Sequence, residues 1–200
     1  MRLGILASHG GSNMQAIIDA TRQGVLPAEV VVVISNNAGS MAATRAANEG
    51  IPFHHLSGMT HPAFEDLDAA IGRVLAEAGV DLVVLAGYMK KVGPQTIGRF
   101  PGRIVNIHPA LLPKFGGVGM YGMHVHQAVL EAGDSLTGIT VHLVDQEYDR
   151  GPIVAQCEVK VMDDDDVDAL AARVLEREHA FYVETLCRIV SGELDLDRLS

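Results

Sequence analysis

The sequence predicts an α/β fold: an open, mostly parallel, twisted sheet with helices on both faces. Two observations carry this. Segments 3–7, 30–34, 82–86 and 103–107 are apolar at nearly every position, as strands buried on both faces must be. Between them, 14–22, 41–49 and 62–78 carry apolar residues at helical spacing. Strand and helix thus alternate over the first half, the pattern of right-handed parallel crossovers.

Taken in order, segment 3–7 runs into a glycine-rich turn, and 30–34 is a β-branched run ending at Asn36-Asn37. His54 and His55 are expected to follow a short strand, capping it or facing solvent. The second half changes character. Segments 138–144 and 152–161 read as two extended stretches around a loop at 145–151. The last long helix is expected over 167–190, where apolar residues recur at helical spacing. The acidic run 163–166 just before it suits an N-terminal cap. With no repeat, low-complexity tract or linker, one domain over 1–200 is expected.

Composition bounds the function. The chain has 200 residues, 48% of them hydrophobic, and a net charge of -10. A core of ordinary size is available, and disorder is excluded. So acidic a surface repels polyanions, so no nucleic acid is expected as partner. No membrane is expected either, because no apolar run approaches the ~20 residues a spanning helix needs. The N-terminus lacks the pattern of a signal peptide. Two cysteines, Cys157 and Cys187, fit a reduced, cytoplasmic chain and are expected in the core or on helices.

Three places carry candidate chemistry. Ser8-His9-Gly10-Gly11-Ser12-Asn13 joins the first strand to the first helix. Glycines let a ligand approach the backbone, and a helix start offers unpaired N–H groups, which suits a phosphate monoester. Taken alone, the turn reads equally as a plain strand-to-helix turn capped by Ser12 or Asn13. Asn106 and His108 share one face of a strand that runs out into a proline-bounded loop. In open α/β sheets, ligands bind at that carboxyl end. An asparagine amide can donate to a developing oxyanion, and an imidazole can donate or move a proton. Asp149, before Gly151-Pro152, reads alone as a turn residue; beside His108 it would raise the imidazole pKa.

Together, Gly11-Ser12-Asn13, Leu-Ala-Gly-Tyr-Met at 85–89, Asn-Ile-His-Pro-Ala-Leu-Leu-Pro at 106–113 and Asp-x-Gly-Pro at 149–152 resemble the folate-dependent formyltransferases. Within them the likeness is to the glycinamide ribonucleotide branch. It spans nearly the whole chain in family order. The resemblance implies a Rossmann-like phosphate-binding half at 1–100 and a catalytic, folate-binding half at 101–200. It implies formyl transfer from 10-formyltetrahydrofolate to the amine of glycinamide ribonucleotide in purine (IMP) synthesis, with no metal. Gly11, Ser12 and Asn13 would cradle the substrate phosphate, and Glu178 would lie near that substrate. Met89, Lys90, Lys91, Val92, Asn106 and Asp145 would contact the folate. Asn106, His108 and Asp149 would be catalytic, with protonated His108 and Asn106 facing the oxyanion; His142 would play a supporting part. A homodimer is compatible with the resemblance.

The sequence departs from some relatives. His9 stands where glycine is common, and Lys90-Lys91 replaces an arginine and an aliphatic residue. Phe64 stands where some members have a folate-touching arginine, so that contact is expected to be absent. The loop 116–123 is long, and its four glycines suggest a mobile flap.

Other readings fit less. A tRNA formyltransferase normally carries a further basic domain. A formyltetrahydrofolate hydrolase usually has an N-terminal regulatory domain, whereas the first strand here begins at Met1. A metal hydrolase would need His108, His124, His126 and His142 to gather, but His124 and His126 are expected at a flexible loop edge opening a helix. A non-catalytic nucleotide-binding module would leave Asn106, His108 and Asp149 unexplained. His179 is expected to be structural.

Overall fold

A computed structural model gives the structure, and it describes residues 1–199. Ser200, at the end of the expected domain, lies outside the described residues. The strands are β1 Arg2–Leu6, β2 Glu29–Ser35, β3 Phe53–His55, β4 Leu82–Leu85, β5 Ile104–His108, β6 Leu136–Leu143 and β7 Ile153–Lys160. The helices are α1 Ser12–Arg22, α2 Met41–Asn48, α3 Phe64–Glu77, α4 Pro94–Arg99, α5 Met123–Glu131 and α6 Val167–Val190. His54 and His55 therefore form most of β3 rather than following a strand. β3 is a three-residue edge strand, too short to show a period in the sequence.

One sheet holds the strands in the order β3-β2-β1-β4-β5-β6-β7. From β3 to β5 the pairings are parallel; β6 is antiparallel to β5, and β7 to β6. The unbroken apolar runs are explained by cores on both faces. In β4, Leu82 and Val84 enter one core while Val83 and Leu85 enter the other. The first core is shared with Met14, Ile17 and Ile18 of α1 and Leu170, Val174, Phe181 and Leu186 of α6. The second is closed by Ala70, Ile71 and Leu75 of α3.

After β1 the chain crosses to the β2 side; after β3 it returns past β1 to β4. The connections leaving β1 and β4 thus diverge and open a crevice at their carboxyl ends. The fully buried Tyr182 of α6 fixes this end of the sheet. Its hydroxyl lies 3.0 Å from the Leu85 carbonyl and 3.2 Å from that of Val105.

Side chains set several helix starts, among them that of α2, where Ser40 Oγ accepts from the Ala43 N–H at 3.2 Å. Asp166 caps α6, accepting from the Ala169 N–H at 2.8 Å, as the acidic run suggested. Beside it, Asp165 grips Arg173 through both guanidinium nitrogens, at 2.5 and 2.6 Å. The start of α4 is capped from another helix: buried Asp68 of α3 accepts from the Gln95 and Thr96 amides at 2.7 and 3.0 Å.

Candidate active site

The turn after β1 begins the site. Gly11 is the N-cap of α1, with φ 65, a left-handed conformation that costs glycine little. A Cβ there would lie 3.0 Å from the Ala42 Cβ, so α2 closes the turn from behind. No side chain caps α1, so the capping alternative for Ser12 and Asn13 does not hold. Both residues are helical, and the amides of the first turn take no side-chain cap. Asn13 is buried instead: its Nδ2 donates to Glu178 Oε2 at 2.9 Å, and its Oδ1 has no partner.

Across the crevice, β5 ends in Asn106 and His108. His142 on neighbouring β6 has Nδ1 2.8 Å from the Leu143 carbonyl. A carbonyl only accepts, so the neutral ring carries its hydrogen on Nδ1. With the hydrogen there, Nε2 accepts from the Asn106 amide at 3.1 Å and leaves one Asn106 N–H free to donate elsewhere; the same Nε2 lies 3.5 Å from Asp149 Oδ1, the contact through which the imidazolium form of His142 would hold that carboxylate. The same reasoning puts a hydrogen on His108 Nε2, 2.8 Å from the Phe115 carbonyl. His108 Nδ1 faces Asp149 Oδ2 at 3.7 Å.

The β6–β7 connection brings Asp149 there. Asp149 sits at φ 55, and its Oδ2 accepts from the Gly117 N–H at 2.9 Å, tying this connection to the root of the 116–123 loop. Gly151 is required nearby, because a Cβ would lie 1.9 Å from the Leu143 carbonyl oxygen. Burial acts to raise the Asp149 carboxyl, but His142, His108 and the Gly117 amide outweigh it and hold the group below its ordinary range. For His108 the balance goes the other way. Burial is the largest influence and lowers its pKa; Asp149 and the Phe115 carbonyl raise it without winning. Asp149 thus raises the imidazole pKa as expected of it, but burial outweighs it, and the net downward shift favours the neutral ring over the protonated His108 that was expected.

One cleft of about 540 Å³ joins the turn to the β5 side chains. Gly11, Ser12, Asn13, Met89, Lys90, Lys91, Val92, Asn106, His108, Asp145, Asp149 and Glu178 all border it. Against known proteins, the sequence pattern of the formyl transferase family matches residues 1–186. The chain belongs to the formyl transferase family. It is 41% identical over 92% of its length to the chloroplastic phosphoribosylglycinamide formyltransferase of Arabidopsis thaliana, and spans 64% of that protein. It is 40% identical over 98% of its length to phosphoribosylglycinamide formyltransferase of Haemophilus influenzae, spanning 90% of it. Glycinamide ribonucleotide transformylase 1 of Symbiobacterium toebii superposes with a TM-score of 0.90 at 40% identity, covering 96% of this chain and 88% of that one.

Other polar groups of this formyl transferase complete the cleft. Glu178 is only 7% exposed; burial pushes its carboxyl up to about 7 against the opposing pull of Asn13. Ser8, fully buried, donates to Asn36 Oδ1 at 2.5 Å and accepts from the Met89 N–H at 2.7 Å, so the turn and the 88–92 segment are braced together. Lys91 stacks on Tyr148, its Nζ 5.9 Å from the ring centre. Phe64 opens α3 and does not border the cleft.

The histidines sort clearly. His124 and His126 do open α5, but His126 is 5% exposed and borders the cleft, not a loop edge. Its Nδ1 is buried without a partner, and burial, then the charge of His108, lowers its pKa. Among the described residues no three His, Cys, Asp or Glu side chains gather as a metal site. Sequence reasoning missed His126 as a cleft residue because the glycine loop before it hides where α5 points. Cys157 and Cys187 are both half-buried against the first core.

Proposed function

We propose that this formyl transferase moves a formyl group from 10-formyltetrahydrofolate to the primary amine of glycinamide ribonucleotide, in the cytoplasm, as a step of purine synthesis. The observation that carries the reading is one continuous cleft. It joins an uncapped helix start, suited to a phosphate monoester, to Asn106, His108 and Asp149. Its volume is ordinary for a ligand site. The likeness to the phosphoribosylglycinamide formyltransferases of Arabidopsis and Haemophilus supports the same acceptor. No helix among the described residues is long and apolar enough to cross a membrane.

The amides of Gly11, Ser12 and Asn13 hold the phosphate, with Glu178 beside it. The 88–92 segment, with Met89, Lys90, Lys91 and Val92, and Asp145 line the folate side. 10-Formyltetrahydrofolate supplies the formyl carbon. As the amine nitrogen bonds to that carbon, negative charge grows on the formyl oxygen and meets the free N–H of Asn106. Neutral His108 takes up the amine proton at Nδ1, directly or through a water. The imidazolium so formed is stabilised by Asp149 and adds positive charge beside the oxyanion. Rupture of the carbon–nitrogen bond to the folate then returns the proton to the leaving nitrogen. No step calls for a metal or a covalent enzyme intermediate.

The test follows loss of formyl folate by absorbance with and without glycinamide ribonucleotide. Turnover that requires the ribonucleotide is expected; equal turnover without it would assign hydrolysis instead.

A further inference from the structure

Behind the phosphate turn lies a cation that does not border the cleft. Arg45, half-buried on α2, donates from Nε to the Gly10 carbonyl at 3.0 Å and from Nη1 to Gln15 Oε1 at 3.2 Å. Gln15, on the first turns of α1, is held in turn by Asp19 and Glu49, its Nε2 lying 2.9 and 3.0 Å from their oxygens. The start of α2 adds a further tie: the Ala42 N–H donates to the His9 carbonyl at 3.1 Å. Among the described residues no carboxylate lies within ion-pair distance of Arg45; Glu49 reaches it only through Gln15, and itself pairs with Arg22.

The peptide between Gly10 and Gly11 has two ways to point. In a trans peptide the C=O and N–H are antiparallel. A carbonyl drawn back to Arg45 therefore sends the Gly11 N–H forward, to the side of the cleft that Gly10 and Gly11 border. A peptide flanked by two glycines has little steric resistance to flipping. Flipped, it would present a carbonyl oxygen to the phosphate and lose the donor.

We propose that Arg45 is a positioning residue for the phosphate-binding turn: its guanidinium holds the Gly10 carbonyl so that the Gly11 amide faces a phosphate monoester, and adds positive charge behind it. This rests on the proposed phosphate site, and it goes further by naming what orients that site from outside the cleft. The surroundings make it consequential, because the whole chain carries a net charge of -10 and would otherwise repel a dianion.

The test uses the full chain with Arg45→Ala and Arg45→Lys. For Arg45→Ala, KM for glycinamide ribonucleotide rises about tenfold, and inhibition by inorganic phosphate weakens by a similar factor. The effect falls far less on kcat and on KM for the formyl folate. Arg45→Lys restores part of the loss through charge, but not all, since it lacks the directed Nε–H. In 15N spectra, inorganic phosphate shifts the Gly11 amide of the wild type strongly and that of Arg45→Ala weakly. An unchanged ribonucleotide KM and phosphate inhibition in Arg45→Ala would overturn the proposal. So would equal losses toward both substrates with a lowered Tm, which would mark Arg45 as merely structural. If the wild type does not use the ribonucleotide, the reading of the reaction fails separately, and the phosphate titration of the Gly11 amide still decides for or against Arg45.

Discussion

At the scale of single residues, chemistry is set by who occupies each hydrogen-bonding position. Asn106 has one amide hydrogen engaged by His142 and one to spare, and His108 presents Nδ1 toward Asp149. Asn106→Ala and His108→Ala are each expected to lower kcat on the order of a hundred- to a thousandfold. Unaltered circular dichroism and Tm would show that the loss is chemical; wild-type-like turnover in either would remove it from the mechanism. The charge balance makes a second prediction. Asp149 is the main influence raising the His108 pKa against burial. Asp149→Asn is therefore expected to lower that pKa further, read by NMR of the ring protons. An unchanged or higher value would contradict the coupling. The pair at 106 and 108 was legible in the sequence because strand periodicity puts alternate residues on one face. The direction of its pKa shift was not, since burial and the contacts from Phe115 and His142 come from residues outside the strand's own sequence.

At the scale of elements, sequence pattern was most informative where an element is long and sees one kind of surroundings. The run at 167–190 coincides with α6, and its acidic prefix with the Asp166 cap. Elements whose cause is nonlocal were missed. α4 starts where Asp68 of another helix caps it, and β3 exists because Pro52 and His55 lie alongside β2. The turn before α1 was legible as a glycine-rich strand-to-helix turn, but the capping alternative could be dismissed only once Gly11 was seen to be the N-cap. Arg45 was illegible for the same reason as α4: its contact with Gly10 spans 35 residues.

At the scale of the molecule, α6 lays a carboxylate against the start of α1. Glu178 is buried, and its folded pKa of about 7 lies above its ordinary value of 4.5. The folded state thus keeps its proton to higher pH than the unfolded state does. Its stabilising contribution is present below the unfolded pKa and is lost as pH rises through the folded one. Stability is expected to fall between about pH 4.5 and pH 7 by this route, and Glu178→Gln is expected to flatten that slope in denaturant titrations. An identical slope in the variant would mean that Glu178 ionises as freely in the fold as in the unfolded chain. The same arrangement joins the two halves of the chain, since Asn13 and Glu178 meet at the end of the cleft beside the first helix. The alternating strand pattern made the parallel half of the sheet legible; that the 145–151 connection would reach His108 was legible only through the motif that holds Asp149.

The central claim is that this single cleft carries a formyl group from folate to a phosphorylated amine. It is tested most directly by supplying 10-formyltetrahydrofolate with an isotopically labelled formyl carbon and examining glycinamide ribonucleotide by mass spectrometry. The label is expected on the ribonucleotide amine, with little transfer by His108→Ala. Label released only as formate, with the ribonucleotide unchanged, would contradict the account.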